Sequence, residues 1–256
     1  MAIVTVLTGP EAMATAAAER VALLIESSLT ARGRADVCLT GGRTPERLYG
    51  LLADPRHPWR DRIDWARVHV FWGDERHVPP DHPDSNFGMA RRTLLARVPI
   101  PVDHIHRIRG DLADPVEAAR EYEAMLRELH AARASHRPSS LPMFDVMLLG
   151  LGEDGHIASI FPASPLLGEP GANTPGPVVQ NLVAAVWAGH LNTWRITLTP
   201  SALLNSAAIL VLVSEPAKAP AVHAALDGPG PVTRVPAQLL RAAGDRVEWL
   251  IAEGAF

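Results

Sequence analysis

Cysteine occurs once in the 256 residues, at Cys38, which excludes an intrachain disulfide framework and fits a reducing, cytoplasmic compartment. Lysine also occurs once, at Lys218, and arginine supplies the other cationic side chains. No basic run is interleaved with aromatic residues and the formal net charge is −4, so no nucleic-acid partner is expected. No apolar stretch reaches the ~18 residues that a membrane span needs, which leaves no membrane partner. The start, Met1-Ala2-Ile3-Val4-Thr5-Val6-Leu7, lacks the basic opening of a secretory signal and reads as a first strand. No grouping of His, Cys, Asp and Glu has zinc spacing, so no catalytic metal is expected.

What is present is a chain with 47% hydrophobic residues, enough to fill a core, and with 23 prolines and 19 glycines to punctuate it. Strand-like and helix-like segments alternate throughout. Helices are expected over 11–29, 45–52, 87–96, 115–133 and 218–226. Strands are expected over 36–40, 68–72, 144–149, 195–198, 208–213 and 248–252. This alternation predicts an α/β fold, a mostly parallel twisted sheet with helices on both faces in three layers. No linker splits the chain, so residues 1–256 are expected to form a single catalytic domain. Residues 163–178, rich in Pro, Gly, Ser and Asn, read as a surface loop or a lid.

Five strand ends carry polar clusters, and in open α/β sheets ligands sit at the C-terminal ends of the strands. The most informative is Gly150-Leu151-Gly152-Glu153-Asp154-Gly155-His156, directly after the apolar run 144–149. It puts an imidazole and two carboxylates at the sheet edge, and histidine is the default proton-transfer group near neutral pH. The alternative is a tight Asp-Gly turn with His156 starting a helix. Gly41-Gly42-Arg43-Thr44-Pro45 follows another strand. Its glycines, hydroxyl and helix N-terminus suit a phosphate, although a plain glycine turn would share the pattern and Arg43 could equally face solvent. Asp74-Glu75-Arg76 offers acid/base groups and an anion-holding guanidinium, or a solvated charged turn. In Asp84-Ser85-Asn86, the first two residues suit helix N-capping and Asn86 could hydrogen-bond a sugar hydroxyl. Finally, Arg195 opens a strand and Lys218 opens a helix, where a cation is disfavoured unless it has a specific role. His57, His69, His82, His104, His106, His130, His136, His190 and His223 read as structural.

Together these segments resemble the 6-phosphogluconolactonases of the pentose phosphate pathway, within the glucosamine/galactosamine-6-phosphate isomerase superfamily, over residues 39–226. The resemblance implies a sugar-phosphate isomerase-like fold. It also implies hydrolysis of 6-phospho-D-glucono-1,5-lactone to 6-phosphogluconate without a cofactor. The implied partner is thus a small phosphosugar lactone, with the chain a monomer or weak homodimer. His156 would be the general base, oriented by Asp154. Gly41, Gly42, Thr44, Arg195 and Lys218 would hold the phosphate, with Arg43 and Arg76 nearby. Asp74, Glu75, Asn86 and Gly152 would line the site, and backbone N–H groups over 150–152 would meet the oxyanion. Two positions depart from the pattern: Arg43 replaces a common Ser, and Ser214 replaces a common Gly. Hexosamine-6-phosphate deaminases share the fold but carry Asn-Glu-Pro after the histidine segment; here Ser159-Ile160-Phe161-Pro162 has no glutamate. A non-catalytic sugar-phosphate regulator on this scaffold would usually add a DNA-binding segment.

Overall fold

The computed structural model describes residues 2–134, 143–168 and 181–256. His136 and residues 169–178 of the expected loop lie outside them. Six strands form one sheet in the order β1 (Ile3–Leu7), β9 (Val247–Ala252), β8 (Ser206–Val213), β5 (Phe144–Leu149), β2 (Ala35–Leu39) and β3 (Val68–Trp72). Every neighbouring pair is parallel. β2 and β5 are buried at every position, as strands covered on both faces must be. Helix α1 (Pro10–Arg32) turns Ala17, Val21 and Ile25 inward and lies against β2, β5 and β9. It ends at Gly33, whose φ of 72° lets its N–H reach the Leu29 carbonyl. Helix α2 (Arg43–Ala53) packs on α1. Phe144, Trp72 and Trp249 are buried in this core, each stabilising it by about 1.5–3 kcal/mol through removal from water.

The strand order sets the position of the site. From β2 the chain moves outward to β3, and the later strands β5, β8 and β9 build up on the other side of β2. The direction of winding therefore reverses between β2 and β5, and a crevice opens beyond their C-terminal ends. Gly41-Gly42 leaves β2 there, and Gly150 to Gly152 leaves β5 there.

A second sheet was not foreseen. Asp74 to Arg76 is not a loop but strand β4 (Asp74–Arg76), antiparallel to β7 (Thr193–Leu198), which pairs with β6 (Val183–Ala188). The chain changes sheets at Gly73. Its N–H still donates to Leu39 of the large sheet at 3.0 Å, while its carbonyl accepts from Leu198 of the small one at 2.8 Å. The expected helix over 87–96 also differs. It is α4 (Asn86–Ala90), capped by the Ser85 hydroxyl, which accepts the Gly88 N–H, and it continues as a π-helical turn, Arg91–Leu95. The remaining helices are α3 (Trp59–Arg62), α5 (Pro115–Ala134), α6 (Pro200–Leu204) and α7 (Ala219–Leu226). Of the loop expected over 163–178, the described part contains a 3-10 turn, Pro165–Leu167, with Leu167 buried.

Candidate active site

A cavity of about 570 Å³ occupies the crevice. It brings together Gly41, Gly42, Arg43, Thr44, Asp74, Arg76, Asn86, Gly152, Asp154, His156 and Lys218, from four strand ends far apart in sequence.

At one end stands His156. Its Nδ1 lies 2.6 Å from Asp154 Oδ1, which also accepts the His156 backbone N–H at 3.1 Å. Burial alone would raise the Asp154 carboxyl, but the ring and backbone of His156 outweigh it and hold the carboxyl below its usual range. Glycine at 152 is required by this pair, since a Cβ there would land on the imidazole and within 2.7 Å of Asp154 Oδ1. The Phe161 ring packs on another side of the imidazole, with centroids 4.7 Å apart. With Nδ1 engaged, Nε2 is the nitrogen left for a reacting group. Gly152 itself donates its N–H to the His156 carbonyl at 2.9 Å, so it is not available as the oxyanion donor expected there.

At the other end α2 begins. Gly42, its N-cap residue, has φ 106° and no side chain caps the helix, so the first N–H groups face the cavity without a protein cap. Gly41 is close-packed, because a Cβ would collide with the Asn86 amide. Thr44 Oγ1 shares a 2.6 Å hydrogen bond with Ser214, tying the α2 turn to the turn after β8. Lys218 ends a 3-10 turn, Pro216–Lys218, rather than opening the helix directly; it is the N-cap residue of α7. Its ammonium lies 3.9 Å from Glu215, beyond hydrogen-bonding distance, and is 18% exposed. Arg43 is 85% exposed and reaches the same Glu215 at 3.3 Å.

The small sheet forms a side wall, and strand alternation sorts its charged residues. Asp74 and Arg76 project to one face of β4, opposite Thr197 and Arg195 in register. Asp74 accepts from the Ser159 hydroxyl at 2.6 Å and from Asn86 Nδ2 at 3.3 Å. Arg76 donates from Nη1 to the Asp84 carbonyl at 2.9 Å, and its buried Nε has no partner among the described residues. Arg195 stands behind Arg76 rather than in the cavity lining. It is 9% exposed, and burial followed by the Arg76 charge lowers its pKa. Two guanidiniums directly opposed on an antiparallel pair repel each other unless an anion joins them.

Glu75, expected to line the site, points the other way. Its carboxylate accepts N–H groups of Arg76, Asn86 and Phe87, each at 2.8 Å, and the Ser85 hydroxyl at 3.1 Å. It anchors the start of α4, and burial raises its pKa against those donors. Conversely, Glu153, Ala158 and His190 line the cavity although the sequence did not single them out as a set. Ala158 sits there with φ 49°, an uncommon conformation for a residue with a Cβ. Among the described residues no group of three or more His, Cys, Asp and Glu side chains is arranged to hold a metal ion. No described helix is long and apolar enough to cross a membrane.

A parallel sheet with an uncapped helix N-terminus and a His–Asp pair at one crevice is an architecture shared with sugar-phosphate isomerases and lactonases. Residues 8–249 match the family described as glucosamine-6-phosphate isomerases/6-phosphogluconolactonase, and the chain belongs to that family. Within it, the chain is 39% identical to the 6-phosphogluconolactonase of Mycobacterium bovis, covering 87% of this chain and 84% of that one. It is 45% identical to the 6-phosphogluconolactonase of a Synechocystis species, where the match spans 56% of this chain and 55% of the other. The crystal structure of 6-phosphogluconolactonase from Thermotoga maritima superposes with a TM-score of 0.76 at 29% identity, covering 99% of this chain and 100% of that one.

Proposed function

We propose that this chain hydrolyses 6-phospho-D-glucono-1,5-lactone to 6-phospho-D-gluconate, the lactonase step of the oxidative pentose phosphate pathway. The observation that carries the reading is the coexistence, in one cavity, of the Asp154-held His156 and an anion seat whose two cations, Arg43 and Lys218, share the single carboxylate of Glu215. The helix N-terminus at Gly42 to Thr44, with Lys218 and Arg43, receives the phosphate. His156 Nε2 takes a proton from water as that water attacks C1. A tetrahedral oxyanion forms, the C1–O5 bond breaks, and the imidazolium returns the proton to O5, which leaves as the C5 hydroxyl. The new carboxylic acid then ionises. Asp154 fixes the imidazole tautomer and steadies its charged form. With the Gly152 N–H engaged, the guanidinium of Arg76, a residue that lines the cavity, is the donor we assign to the oxyanion. A lactone is an activated ester, so one positioned base and one charged donor suffice. The glutamate expected of an isomerase is absent from residues 157–162, which favours hydrolysis.

The test is proton release from freshly made 6-phosphogluconolactone with purified protein in the presence of chelator. The wild type accelerates it, and His156→Ala lowers kcat by about a thousandfold with product affinity retained. A wild-type rate equal to spontaneous hydrolysis refutes the lactonase reading; an unchanged kcat in the variant removes His156 as base.

A further inference from the structure

The histidine at position 190 looks structural in the sequence, yet its surroundings give it no structural work. It sits in the turn between β6 and β7, where Gly189–Leu191 forms a single 3-10 turn closed by Asn192 at φ 49° and ψ 45°. The strands below pair in unbroken register from Val183↔Leu198 to Ala188↔Thr193, so the tip is held rigidly. β7 also pairs with β4, the strand that presents Asp74 and Arg76. One small sheet therefore delivers His190 and those two residues to the same cavity. The His190 and Phe161 rings meet in a T-shaped contact, centroids 4.8 Å apart, and the Phe161 ring in turn packs on His156 at 4.7 Å. The two imidazoles thus share one phenyl ring as a neighbour, both lining the cavity. Neither ring nitrogen of His190 has a hydrogen-bond partner among the described residues, whereas His77, for example, is bound to the Leu112 carbonyl at 2.7 Å.

We propose that His190 is a substrate-recognition residue that binds hydroxyl groups of the lactone ring on the open side of the cavity. The inference rests on the phosphosugar-lactone reading above. A neutral imidazole offers one donor and one acceptor, the pair that vicinal hydroxyls require. Among the described residues no carboxylate fixes its tautomer as Asp154 does for His156, so its role is recognition and not proton transfer. Its neighbour Leu191 also lines the cavity and supplies apolar cover for the C–H face of the ring.

The experiment compares wild type, His190→Ala and His190→Gln. In His190→Ala, KM for 6-phosphogluconolactone rises about tenfold, the loss of one or two hydrogen bonds to neutral hydroxyl groups. kcat and the position of its pH profile stay put, and His190→Gln, which keeps a donor and an acceptor, recovers most of the affinity. Unphosphorylated glucono-1,5-lactone shows the same factor, since the contact is to the ring. An unchanged KM in His190→Ala overturns the proposal, as does a fall in kcat with a displaced pH profile. A wild type that does not hydrolyse the lactone refutes the parent reading instead. Titration with 6-phosphogluconate then decides the point for His190, and equal affinity of wild type and variant overturns its role.

Discussion

Acids and arginines meet at both ends of the large sheet, and they do opposite things. At the N-terminal ends of β2 and β5, Asp36 and Asp145 are almost fully buried. Arg32 reaches Asp145 at 2.7 Å, Arg34 reaches Asp36 at 2.6 Å, and Arg133 pairs with Asp36 as well. Asp145 also accepts the Asp36 backbone N–H at 2.8 Å. At the C-terminal ends, Arg76 and Arg195 have no carboxylate in ion-pair range among the described residues, and Lys218 has only Glu215, loosely, at 3.9 Å. In the lower cluster each carboxylate holds a guanidinium at close range, although Arg32 Nε and Arg34 Nη2 have no hydrogen-bond partner among the described residues, and the cluster ties two strands and two helices together. The upper one is left electrostatically incomplete, which costs folding stability and leaves room for an anion. Charge composition alone therefore does not mark a functional site; how loosely its cations are paired does.

The comparison breaks most visibly at its lower end. Asp145→Asn removes the charge that partners the Arg32 guanidinium, while Arg133 keeps Asp36, and should cost about 3 kcal/mol of unfolding free energy. The folded fraction should keep wild-type kcat. Denaturant titration together with activity per folded molecule checks both; a stable variant, or an inactive folded one, would show that the two ends are not separable. At the upper end the consequence is reversed. Lys218→Ala should leave stability unchanged and raise KM for the phosphorylated lactone about thirtyfold, with little change for the unphosphorylated one. An equal response to both lactones would remove Lys218 from the phosphate seat.

The smallest effect concerns histidines beside the lower cluster. His69 Nδ1 lies 3.0 Å from His106 Nε2, and His104 stacks on His69 with centroids 3.6 Å apart. Burial, then the Arg34 charge, pushes His69 down to about 3 and His106 to about 4, from 6.5. These bases stay neutral in the folded chain while the unfolded chain takes up their protons below pH ~6.5. Their contribution is therefore complete above that pH and is lost as pH falls towards 4. Both side chains are only partly buried, so solvent weakens the effect. Melting temperature should fall modestly between pH ~7 and ~5, and less in a His69→Gln/His106→Gln double variant; identical slopes would refute this account.

How far the sequence disclosed these regions depends on whether the cause is local. The long apolar strands β5 and β8, helix α1 and the glycine turns after β2 and β5 are written in contiguous residues, and they emerge close to their expected bounds. The small sheet is not. β4 has only three residues, all charged, and is buried because β7 pairs with it from more than a hundred positions away. Missing that strand hid its alternation, which is why Glu75 was grouped with Asp74 although it anchors α4. It also hid His190, carried in by the same pairing. Gly152 was legible as a turn glycine; its packing under His156 was not, since the ring folds back over it.

One feature has a practical use that catalysis does not exhaust. Because Lys218 is the only lysine in 256 residues and lines the cavity, an amine-directed reagent meets one side-chain target besides the α-amino group. A pyridoxal or succinimidyl label at that nitrogen would act as an occupancy meter. Protection from labelling would report filling of the pocket by inhibitors or slow substrates that produce no turnover.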